Sequence, residues 1–83
     1  NNRLINRKKE YMPITLLNNG QEAEVIRVTG NDEMKTHLSN LGFVKGKKVK
    51  LFFFDGVNYI IMVDNSKYAL NKDLAKRIYV REI

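Results

Sequence analysis

Residues 47–63 read Lys47-Lys48-Val49-Lys50-Leu51-Phe52-Phe53-Phe54-Asp55-Gly56-Val57-Asn58-Tyr59-Ile60-Ile61-Met62-Val63, and this stretch decides the fold. Successive side chains of a strand point to opposite faces. Residues 47–54 therefore predict a strand with Val49, Leu51 and Phe53 on one face and Lys48, Lys50, Phe52 and Phe54 on the other. Asp55-Gly56 is a hairpin signal, the glycine supplying the positive φ that a tight turn needs. Residues 59–63 are apolar throughout, which predicts a second strand partly buried on both faces.

Outward toward the C-terminus, Asp64-Asn65-Ser66 reads as a turn and Tyr68-Ala69-Leu70 as a short third strand. Asn71 can cap a single helical turn over about 71–76. The chain ends in a strand with Ile78 and Val80 on one side. Outward toward the N-terminus, Val44-Lys45-Gly46 is a turn, preceded by a short α-helix over about 31–41. Its signals agree with one another. Asn31 is a good N-cap, Asp32 and Glu33 place negative charge at the positive end of the dipole, and Met34, Leu38 and Leu41 share one face. Gly42 suits a left-handed cap, and Phe43 can fold back onto the last turn. Before the helix, Ala23, Val25 and Val28 favour a strand whose strict alternation is broken by adjacent Val25 and Ile26. Ile14-Thr15-Leu16-Leu17 is a short apolar run that ends in Asn18-Asn19-Gly20, a turn. Five to six short strands, one short helix and one helical turn predict a mainly β chain forming a small closed or nearly closed barrel.

The chain has 83 residues, 15 Lys+Arg against 9 Asp+Glu, a formal net charge of +6, and no Cys. That length allows one domain and leaves little room to wall a deep catalytic cleft. No disulfide or thiolate metal site is available. The longest apolar run is far too short to span a bilayer as a helix. Half of the net charge lies in the first eleven residues, where Arg3, Arg7, Lys8 and Lys9 face only Glu10. Residues 1–11 read as a flexible basic extension, with Met12-Pro13 as the start of the domain proper over 12–83.

There is one His, and no paired carboxylates, P-loop or GxGxxG motif. His37 with Glu33 on the same helical face gives two ligands, an incomplete metal site. The expectation is no catalysis, no cofactor and no metal site. Lys45, Lys47, Lys48 and Lys50 form the one concentration of charge in the body. It reads either as an electropositive patch or as ordinary edge-strand lysine that discourages aggregation. Aromatics interleaved with it suit a stacking platform for single-stranded nucleic acid or a groove for a protein partner.

Several stretches resemble one known family. They are Gly20-Gln21-Glu22-Ala23-Glu24-Val25, then Gly30, then residues 38–49 (Leu38-Ser39-Asn40-Leu41-Gly42-Phe43-Val44-Lys45-Gly46-Lys47-Lys48-Val49), and residues 68–80, which open Tyr68-Ala69-Leu70. With Met12-Pro13-Ile14-Thr15-Leu16-Leu17 they resemble the FeoA family over residues 12–83. Members show an "LGF-x-PG-x-x-V" segment and a later "LAL(R)-x-x-x-A-x-x-I-x-V" segment. Here Lys45 replaces the usual Pro, Asp55-Gly56-Val57-Asn58 replaces an acidic, Pro-containing hairpin, and Asn71 stands where Arg is common. The resemblance implies an SH3-like small barrel acting as a cytoplasmic, non-enzymatic adaptor of bacterial ferrous iron uptake. Its implied partner is the FeoB transporter with its cytosolic GTP-binding domain, and the membrane would be reached only through that partner. Candidate contacts are Phe43, Lys47, Phe52, Phe54 and Tyr59, chosen as aromatic or cationic side chains on a strand or loop. Two alternatives stand beside this reading: a nucleic-acid-binding small barrel, and the SH3-like domain of an iron-dependent transcriptional regulator. No stable nucleic-acid complex is expected, the start at Met12-Pro13 reads as free-standing, and self-association is left open.

Overall fold

The computed structural model describes residues 11–83, so the expected basic extension lies outside the described residues except for Tyr11. The elements in chain order are β1 (Met12–Pro13), a 3-10 turn (Ile14–Leu16), β2 (Glu22–Val28), α1 (Asp32–Leu41), β3 (Lys48–Phe54), β4 (Asn58–Val63), β5 (Ser66–Asn71), α2 (Lys72–Ala75) and β6 (Ile78–Glu82). The strands form one antiparallel sheet in the order β1-β6-β2-β3-β4-β5. The mainly β class and the strand count agree with the sequence. Of the closed or nearly closed barrel expected, full closure is absent among the described residues, because β1 and β5 end the order without pairing to each other.

Alternation builds the core. Ala23 and Val25 of β2, Val49 and Leu51 of β3, Ile61 and Val63 of β4, and Ile78 and Val80 of β6 all turn inward and are buried. Two β-bulges interrupt the register, one at Ile26 between Val25 and Arg27, the other at Phe52 between Leu51 and Phe53. A bulge adds one residue to one strand and strengthens the local twist. The first accounts for the adjacent Val25 and Ile26 that spoil the alternation in the sequence.

Local signals set both helices. The Asn31 side-chain oxygen accepts from the Met34 amide at 2.8 Å, and the Asn71 oxygen from the Leu74 amide at 2.9 Å. Gly42 takes φ 111°, the left-handed region. Its N–H donates to the Ser39 carbonyl and that of Phe43 to Leu38, which closes the helix end. Leu38 is fully buried, while Met34 and Leu41 are half-buried at the rim of that face.

Candidate functional site

The bulge at Phe52 decides what the outer face of the sheet carries. Up to Leu51 the strand alternates as its sequence predicts, with Lys50 opposite Met62 and Leu51 opposite Ile61. Beyond the extra residue, Phe53 lies opposite Ile60 and Phe54 opposite Tyr59. Ile60 shares the parity of Met62, so Phe53 joins Lys50 and Met62 on the outer face, a correction to its expected inward placement. Phe54 takes the parity of Tyr59 and Leu70 at the end of the hairpin. Its ring packs on Tyr59 with centroids 4.5 Å apart. Phe53 and Phe54 remain 44% and 46% exposed, far more than aromatic side chains in a core.

Cross-strand pairing completes the surface. Lys50, Met62 and Lys67 stand in one row across β3, β4 and β5. The Lys67 ammonium lies 4.7 Å and the Lys50 ammonium 5.4 Å from the centre of the Phe52 ring. Both cations therefore use the negative face of the ring. Lys45, Lys48, Lys50 and Lys67 make no ion pair among the described residues. The result is a cationic and aromatic surface bordered by an open pocket of about 360 Å³ whose lining includes Lys48, Lys50 and Met62.

The turn that ends this surface is well ordered by one side chain. The Asp55 carboxylate accepts from the Asn58 amide at 2.7 Å and the Val57 amide at 2.8 Å. These backbone donors, Asn58 first, hold its pKa below the usual carboxylate value. Gly56 supplies φ 99°, and Val57 at the tip is 71% exposed.

The five candidate contacts separate. Phe52, Phe54 and Tyr59 gather at the β3–β4 hairpin. Phe43 is a correction: it is 1% exposed, folded beneath the sheet with its ring edge-on to Tyr68 at 6.2 Å, and has no surface to offer a partner. Helix termination turns it inward, because the Gly42 cap points the next residue back at Leu38. Lys47 is engaged elsewhere, its ammonium 3.0 Å from the Asp64 carboxylate. Phe53, Ile60, Met62 and Lys67 were not anticipated. Lys67 was legible in principle, since Asp64 and Asn65 form a two-residue turn that sets Met62 opposite Lys67.

Other chemistry is sparse. His37 and Glu33 are both exposed on α1. Among the described residues, no group of three or more His, Cys, Asp or Glu side chains could hold a metal ion. No helix among them is long and apolar enough to cross a membrane.

The FeoA domain family model matches residues 12–82. Among solved structures, FeoA from Stenotrophomonas maltophilia complexed with zinc, a prokaryotic SH3 domain protein, is 31% identical, covering 77% of this chain and 82% of that one, with TM-score 0.69. A crystal structure of an iron uptake regulatory protein, FeoA, is 23% identical, covering 89% of this chain and all of that one, with TM-score 0.82. IdeR from T. acidophilum is 23% identical with TM-score 0.79, and the match spans 88% of this chain but 34% of that one. No curated protein matches the sequence.

Proposed function

We propose an adaptor function for this chain, which belongs to the FeoA domain family, the small accessory proteins of ferrous iron transport. In this reading it docks on the cytosolic GTP-binding part of FeoB and biases the assembly or nucleotide cycle of that transporter. The observation that carries it is the outer face of β3, β4 and β5, where Phe52, Phe53, Ile60 and Met62 are framed by Lys50 and Lys67, neither in an ion pair among the described residues. Aromatic centres with a cationic rim suit a protein interface. Phe54 and Tyr59 extend the surface to the hairpin tip. Such a module shifts its partner only by binding one of the partner's states more tightly than another.

The test is a titration of the labelled chain with the cytosolic domain of the transporter, followed by amide shifts, with and without guanine nucleotide. Shifts concentrated at Lys50, Phe52 and Lys67, with different affinities in the two nucleotide states, are expected. Absence of binding in both states sinks the proposal. A nucleic-acid platform has less support, since two lysine ammonium groups already lie against the ring that a base would need to stack on.

A further inference from the structure

We infer that the free edge of β5 is a docking track for an acidic, extended segment of a partner protein, which adds beside β5 as a further strand. The inference rests on the adaptor reading and specifies the chemistry of what docks.

The register of the β4–β5 hairpin fixes which backbone groups are free. Asp64 and Asn65, at φ 54° and 65°, form a two-residue turn that places Val63 opposite Ser66. The pair that closes such a turn exchanges both of its backbone hydrogen bonds, and bonded and non-bonded pairs alternate from there. Ser66, Tyr68 and Leu70 therefore bond to β4. Lys67 and Ala69 aim their N–H and C=O groups away from it. β5 ends the strand order, and no other described backbone group bonds to Lys67 or Ala69. Ala69 is exposed and carries no bulk that would screen this edge.

Charge decides the occupant. β5 reads Ser-Lys-Tyr-Ala-Leu-Asn and contains no acid. The nearest acids in sequence are already engaged, Asp64 with Lys47, and Asp73 with Lys76 and Arg77. Lys67 and Lys72 have no ion pair among the described residues. A second copy of this chain pairing edge to edge brings lysine toward lysine, which guards against self-association. An added strand has side chains two residues apart on the outer face. The one beside Lys67 is best acidic, and the one beside Ala69 best apolar, facing Ile60 and Phe53 along the cross-strand row. Strand addition of this kind takes its affinity from main-chain hydrogen bonds and its specificity from alternate side chains.

The probe is a blocked Thr-Glu-Thr-Val-Thr-Glu peptide titrated into the labelled chain. Binding should shift the Lys67 and Ala69 amides most and slow their hydrogen exchange. N-methylation of the peptide at the residues that donate to β5 should weaken binding roughly fivefold for each hydrogen bond removed. Ala69→Pro removes only an outward-facing N–H, a substitution edge strands accept. It should keep the far-UV circular dichroism and abolish peptide binding, and Lys67→Glu should do the same. No binding, shifts confined to another face, or equal affinity for the N-methylated peptide overturns the inference even if Ala69→Pro fails to fold. A parallel titration with the transporter's cytosolic domain separates the two claims. Peptide binding without transporter binding removes the adaptor reading and leaves the edge. Transporter binding without peptide binding, unaffected by Ala69→Pro, removes the edge and leaves the adaptor.

Discussion

Replacing Phe43 and Phe52 by alanine, one at a time, tests the division between core and surface on which the candidate site depends. Phe43 is fully enclosed and meets Tyr68 edge-on. Truncating a buried phenylalanine costs about 3–5 kcal/mol, from lost transfer free energy and from the cavity left behind. A domain of this size is expected to have a total stability of roughly 4–12 kcal/mol. Phe43→Ala therefore removes a quarter or more of it and lowers Tm by on the order of 12–40 °C. Phe52 sits at a bulge, half-exposed, and its main specific contacts are two lysine ammonium groups. Exposed cation–π contacts are worth about 0.5–1 kcal/mol each, so Phe52→Ala should cost about 1–2 kcal/mol. Urea unfolding followed by far-UV circular dichroism reads both, with the denaturant slope expected to be unchanged. In the partner titration the order reverses: Phe52→Ala weakens binding, while Phe43→Ala, at a temperature where it is folded, does not. A Phe43→Ala loss below about 1 kcal/mol, or equal losses for the two variants, refutes the assignment of Phe43 to the core and Phe52 to the surface.

Gly42→Ala should destabilise by about 1–2 kcal/mol, because an L-residue is strained at φ 111° and its methyl would sit 3.2 Å from an Asp64 carboxylate oxygen; the urea midpoint checks it. Asn31→Ala should cost about 1 kcal/mol through loss of the α1 cap, read by the same midpoint. Because the Asp55 pKa is lower folded than unfolded, its contribution is present above the ordinary carboxylate pKa and lost as pH falls through the folded value. A carboxyl-carbon NMR titration should place Asp55 below the ordinary value of about 3.9, and Asp55→Ala should flatten the acid limb of stability.

Local chemistry was legible, and register only in part. The α1 boundaries follow from Asn31, the Met34–Leu38–Leu41 face and Gly42, all acting within a few residues of one another. The inward face of β6 follows from alternation, whereas β4 is apolar over 59–63 and offers none to read, and in β2 the bulge at Ile26 breaks it. The placement of Phe53 does not follow from it either, because three consecutive phenylalanines read the same whichever one is the extra residue. The bulge is settled only when β3 pairs with β4, and a one-residue shift exchanges faces for everything beyond it. The same bulge adds Phe53 to the outer face and leaves Phe54 beside Tyr59 at the end of the hairpin. Lys47 shows a second blind spot, since its partner Asp64 lies on a different turn and no local pattern connects the two.

That Lys47–Asp64 contact has its consequence in geometry rather than in energy. Both side chains are substantially exposed, so the pair is worth at most about 1 kcal/mol. Asp64 is nevertheless the first positive-φ residue of the β4–β5 turn, and it lies against Gly42 at the end of α1. One carboxylate thus links the helix cap, the entry to β3 and the turn that sets the register of β5. A shift of that register by one residue would turn Lys67 from the outer face inward and Ala69 with it, exchanging the free and the bonded backbone groups along the edge. The positive φ at Asp64 and Asn65 makes the two-residue turn specific, and Gly42 allows the close approach that places it. The orientation of the proposed docking edge is therefore controlled by residues that never touch what docks there.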